Sequence, residues 1–156
     1  MVDSPTLEGS PAAANGRKLD IYVVDTGWNR KAKAILDEHL ELFESFLGGH
    51  HVFLLSRQQS KEVLKQHIHL IGKDPLLVIV DSDARVEKHV HGYGFRLCLG
   101  AMKAGRIREN LSTVLHIICD QRLDGRQMVQ RVRQEAHREG LAGVMEIIGE
   151  VVRPEG

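Results

Sequence analysis

Three apolar segments of this chain run into an aspartate: DIYVV into Asp25, LLVIV into Asp81 and VLHIIC into Asp120. In an open sheet of parallel strands, ligands bind beyond the carboxyl ends, near the point where strand order reverses. Read in that way, Asp25 and Asp81 lie side by side, with Asp83 close by. Clustered carboxylates repel one another unless a cation neutralises them, and hard oxygen ligands suit Mg²⁺. The chemistry this pattern points to is a Mg²⁺-assisted site for a phosphate ligand. The same aspartates have a purely structural use, since aspartate caps turns and helix N-termini without any ligand.

A second set of candidates follows Asp81. His89-x-His91 would present both imidazoles on one side of an extended segment, the start of a zinc, iron or haem site that needs further ligands. Gly92-x-Gly94 could let backbone N–H groups approach a phosphate, although it is neither a dinucleotide fingerprint nor a phosphate-binding P-loop. His39 and His67 fall on apolar helix faces and read as core histidines. Nucleophilic catalysis has little support: there is no GxSxG elbow, and Cys98 and Cys119 make neither a CxxC pair nor a metal-ligand pair. Both thiols read as buried, in a reducing compartment.

The last helical pattern carries Arg126, Arg131, Arg133 and Arg138, with Arg122 nearby, opposed by Asp37, Glu38, Glu41 and Glu44 on the first. Such polarity could dock a protein partner or pair two copies of the chain, although a solvated helix face has the same look. Net charge is +0 and aromatic residues are 4% of the chain, which argues against both a general pull on nucleic acid and a base-stacking platform.

These residues must be held by elements legible from periodicity. Strands are expected at Asp20–Val24, His51–Leu55, Leu76–Val80, Val114–Cys119 and Val144–Val152. Helical spacing runs from Asn29 to Leu47, from Ser56 or Ser60 to Ile71, from Phe95 to Leu111, and from Asp124 to Gly140. The unbroken aliphatic run LLVIV suits a strand covered on both faces. Alternating strands and helices predict an α/β fold: an open, mostly parallel four- or five-stranded sheet, flavodoxin-like, in order 2-1-3-4-5, with helices on both faces. The alternative is a thioredoxin-like fold, suggested by Pro75 ahead of a hydrophobic strand. With 42% hydrophobic and 27% charged residues the composition is globular. One domain is expected over 18–152, after a Pro-, Ser- and Ala-rich stretch at 1–17 that reads as a disordered leader and carries no secretory h-region. The longest aliphatic run, Leu76–Val80, is far short of the roughly 20 residues of a membrane span, and a cytoplasmic setting is expected.

IYVVD before a helix, LLVIVD as a central strand, HGYGFRLCL after it and AHREGLAGVMEI near the end resemble a response-regulator receiver domain over roughly residues 18–150. The resemblance implies that Asp25 matches a metal-binding acidic position and Asp81 the phospho-accepting aspartate. It also implies a hydroxyl after strand four and a lysine after strand five, where this chain has Cys119 with Asp120, and Ile147. Without the groups that steady and report a phosphoryl charge, the expected role is non-enzymatic: a receiver-like regulatory or accessory domain that binds a protein.

Overall fold

The computed structural model describes residues 18–81, 94–141 and 144–148. The first strand, β1 (Leu19–Val24), places Leu19, Ile21 and Val23 on one face and Asp20, Tyr22 and Val24 on the other. Helix α1 (Arg30–Leu42) starts at Asn29, whose side chain accepts from the Ala32 N–H, and buries Ala32, Ile35, Leu36 and His39. A single turn, α2 (Glu44–Leu47), leads to β2 (His51–Leu54). Helix α3 (Arg57–Gln66) opens with a capping box in which Ser56 and Gln59 satisfy each other's backbone N–H groups. A 3₁₀ turn at Ile68–Leu70 and a cis Asp74–Pro75 peptide precede β3 (Leu76–Asp81). Then come β4 (Gly94–Cys98), α4 (Ala104–Ile118), α5 (Gly125–Glu139) and β5 (Met145–Ile148). Helix α5 has a second capping box, Asp124 with Gln127, and ends at Gly140, which adopts a left-handed φ of 70°.

The five strands form one sheet in the order β2-β1-β3-β4-β5. Helices α1, α4 and α5 pack on one face around Ile21, Ile79, Phe95 and Leu97, all buried. The other face carries a smaller cluster in which Leu64 of α3 and Leu70 meet Val24, Leu76 and Cys98. Among the described residues, no helix is long and apolar enough to cross a membrane.

The order of strands matches the expected 2-1-3-4-5, but their directions do not. Only β1 and β2 are parallel; β3 is antiparallel to β1, β4 to β3, and β5 to β4. The sheet is therefore mixed rather than mostly parallel, and the α/β reading holds without the parallel part. The physical reason lies in what an aliphatic run reports. Leu76, Leu77, Ile79 and Val80 are buried on both faces as expected, but two-sided burial carries no information about direction. Residues 67–75 return the chain at the end where β1 finishes, so that Leu76 pairs with Val24.

Two elements exchange type. VLHIIC lies in the last turns of α4: Ile107, Leu111, Val114, Leu115 and Ile118, spaced three and four apart, are all buried. The segment from Phe95, expected to be helical, begins with β4, where Phe95 and Leu97 face the large core while Arg96 and Cys98 face the other side. A short apolar run supports either period, and tertiary burial decides. The expected fifth strand is present as Met145–Ile148.

Candidate functional site

Strand direction determines the fate of the aspartates. Leu19 pairs with Asp81 and Val24 with Leu76, so Asp25 and Asp81 lie at opposite ends of the β1–β3 ladder. At about 3.4 Å per residue that separation is about 20 Å, far beyond any bridging cation. The expected shared pocket of Asp25 and Asp81 is not formed. Asp25 Oδ1 accepts from the Gly27 N–H at 3.1 Å, and its own N–H donates to Ser60 Oγ at 2.9 Å, a turn-stabilising role. Asp81 is buried against the first turn of α5, so closely that a Cβ on Gly125 would overlap its carboxylate. A carboxylate there complements the positive end of a fifteen-residue helix.

Asp120 follows the last turn of α4 rather than a strand. It holds Arg122 by two contacts of 2.9 Å, and this bonding lowers its pKa from the usual carboxylate value. Gly94 opens β4, opposite Val80 and Ile148. Asp83, His89, His91 and Gly92 lie outside the described residues. Among the described residues, no group of three or more His, Cys, Asp or Glu side chains is placed to hold a metal ion. On the basic helix, Arg126, Arg131 and Arg133 are exposed, and Arg138 pairs with Glu135. His39 is buried, with Nδ1 2.9 Å from the Ile35 carbonyl, as a core histidine should be. Burial and Glu146 push the Cys98 thiol up to about 11. Such a thiol is chemically quiet near neutral pH.

The most constructed polar feature is one that residue types alone do not reveal. Asp74 is 1% exposed and its carboxylate takes three bonds from the β1–α1 loop. Oδ2 accepts from the Thr26 N–H and hydroxyl, both at 2.8 Å, and Oδ1 accepts from the Trp28 indole at 2.9 Å. The segment is clamped from behind as well, by Leu99 N–H to the Pro75 carbonyl and Gly100 N–H to the Lys73 carbonyl, both 2.9 Å. Gly100 is required there, because a Cβ would overlap the Asp74 carbonyl. In front of the loop, the Arg57 guanidinium lies over Gly27, which has φ of 90°. The clue in the sequence is an acidic residue immediately before a proline, but its partners are 46 and 48 residues away.

Held in this way, Trp28 is still 53% exposed. Leu54, Ile68 and Ile71 are 70%, 73% and 60% exposed. All four belong to the end of the sheet where β1 and β2 finish and β3 begins: Leu54 pairs with Val23, Trp28 follows β1, and Ile68 and Ile71 precede Leu76. Leu54, beside Val23 of the large core, belongs to the opposite sheet face from Ile68 and Ile71, which flank Leu70 on the α3 side, and Leu42, Val52 and Phe53 are exposed as well.

On the α3 side of the sheet lies a cavity of about 260 Å³, floored by Tyr22, Val24, Leu76 and Val78 and roofed by Val63 and Leu70. Arg96 and His67 also line it. Arg96 is paired with Glu146 through Nε at 2.8 Å and Nη2 at 2.7 Å. Burial, then the Arg96 charge, lower the His67 pKa from its ordinary value. No family model, curated protein or solved structure matches the chain.

Proposed function

We infer that this chain is a non-enzymatic binding module that engages a protein partner through the sheet end carrying Trp28. The strand order 2-1-3-4, with β1 and β2 parallel and β3 and β4 alternately antiparallel, is similar to the thioredoxin-like arrangement. The placement of α1 and α4 on one face and α3 on the other supports the same reading. Dithiol redox chemistry of the thioredoxin kind needs a CxxC pair with a depressed thiol pKa. This chain has Thr26-Gly27-Trp28-Asn29 at the start of α1. Its two cysteines lie elsewhere, and the Cys98 thiol is raised rather than depressed. What the loop offers instead is a half-exposed indole held in a fixed orientation by a buried carboxylate. Tryptophan in a pre-organised setting is the residue type most enriched among interface hot spots.

The observation that carries this reading is the Asp74 lock on Thr26 and Trp28. Its test is co-purification of the full chain from its native host, compared between wild type and a Trp28→Ser/Ile71→Ser variant of matched thermal stability. A defined partner retained by wild type and by Arg126→Ala/Arg133→Ala, and lost from the Trp28 variant, supports the sheet end. Loss only from the arginine variant would assign the interaction to α5 instead.

A further inference from the structure

We propose that the cavity between α3 and the sheet binds a small aromatic or branched aliphatic monocarboxylate, its apolar body against Val24, Val63 and Val78 and its carboxylate on Arg96. The size follows from the volume. A cavity of about 150 Å³ takes benzene, so about 260 Å³ takes a ring with a short acidic arm. Drug-sized ligands generally need upwards of about 300 Å³. The head-group chemistry follows from Arg96. Its Nε and Nη2 are used by Glu146, while Nη1 has no acceptor among the described residues. A guanidinium whose side chain is only 12% exposed, set in an apolar floor, favours a charged acceptor over a neutral one.

The acidic groups nearby limit the site without filling it. Glu62, also on the rim, is turned to Gln58 at 3.2 Å and Lys65 at 3.4 Å along the α3 surface. Glu146 shares the guanidinium and sets the affinity that a ligand carboxylate can reach. Neutral His67, lowered by burial and by Arg96, offers an N–H without adding a competing charge to the apolar wall. The site adjoins the proposed partner surface, since Leu55, His67 and Leu70 line it beside Leu54, Ile68 and Ile71, but Arg96 and the cavity volume define it without that surface.

The test is an NMR titration of the full chain with phenylacetate, 2-phenylethanol and phenethylamine as probes. Phenylacetate is expected to shift the amides of Val24, Val63, Leu76 and Val78 at millimolar concentration, with the alcohol about tenfold weaker and the amine weaker still. Val63→Phe fills the cavity and removes binding of all three. Arg96→Gln removes the preference for the acid; should that variant unfold, Glu146→Gln decides, because it leaves Arg96 in place and is expected to tighten phenylacetate binding. No perturbation of these amides by any probe, equal binding of acid and alcohol, or weaker phenylacetate binding in Glu146→Gln would overturn the proposal.

Discussion

Replacing Asp74 by alanine is the sharpest perturbation the fold offers. The carboxylate accepts three hydrogen bonds, from Thr26 N–H, Thr26 Oγ1 and Trp28 Nε1, all between 2.8 and 2.9 Å. A hydrogen bond to a charged group contributes roughly 1.5–3 kcal/mol, but Thr26 and Trp28 are only partly buried and regain water when the acceptor is lost. Removing the buried carboxylate also relieves its own desolvation cost. Weighing these, Asp74→Ala is expected to destabilise by about 3 kcal/mol, a large fraction of the roughly 5–15 kcal/mol typical of a folded domain. Thr26→Val and Trp28→Phe should each cost about 1 kcal/mol, and each should couple to Asp74 in a double-mutant cycle. Trp28 is the chain's one tryptophan, so urea unfolding followed by its fluorescence reports loop and global order together. The expected signature is a lower midpoint and a red-shifted native emission. A stability within about 0.5 kcal/mol of wild type and an unchanged native spectrum would refute the reasoning, since that is how an unimportant surface site behaves.

Further outcomes follow from other sites. Gly125→Ala would raise intrinsic helix propensity, yet its Cβ overlaps the buried Asp81 carboxylate; a loss of about 2 kcal/mol is expected by chemical denaturation, and a gain would contradict the packing of β3 on α5. Phe95→Ala, fully buried in the large core, should cost about 3–5 kcal/mol, whereas Leu54→Ala at the exposed end of β2 should stay within about 0.5 kcal/mol. His67 has a folded pKa below its unfolded value of 6.5, so near pH 6 the unfolded chain binds more protons than the native one. Its contribution to stability is full above 6.5 and is lost as pH falls through the folded pKa. Melting temperatures between pH 5 and 7 should accordingly fall less steeply in His67→Gln, and an unaltered slope would remove His67 from that role.

Local signals in this sequence were readable where a single element decides them. Asp124 caps the helix expected from it, with Gln127 three residues on, and of the two serines open for the second helix Ser56 is the cap, with Gln59 as its reciprocal partner. The apolar stripe of α1 and the two-sided burial of LLVIV were legible for the same reason. What periodicity could not supply was direction and competition. Whether β3 runs with β1 or against it depends on where residues 67–75 deliver the chain, and that choice separates Asp25 from Asp81. VLHIIC and GFRLC each satisfy two periods, and packing against Phe95 and Leu97 on one side and α1 on the other settles them. Asp74 stayed unread because an acidic residue before proline acquires its role only when β3 begins beside the end of β1.

The sheet end around Trp28 is the surface we propose a partner covers. Site-specific photo-crosslinking measures this most directly, with a benzophenone side chain placed in turn at positions 28, 71, 126 and 133 of the full chain in its host. Adducts of one defined mass from positions 28 and 71, and none from 126 and 133 on α5, are the predicted result. Adducts confined to α5, or equal from all four positions, would contradict it.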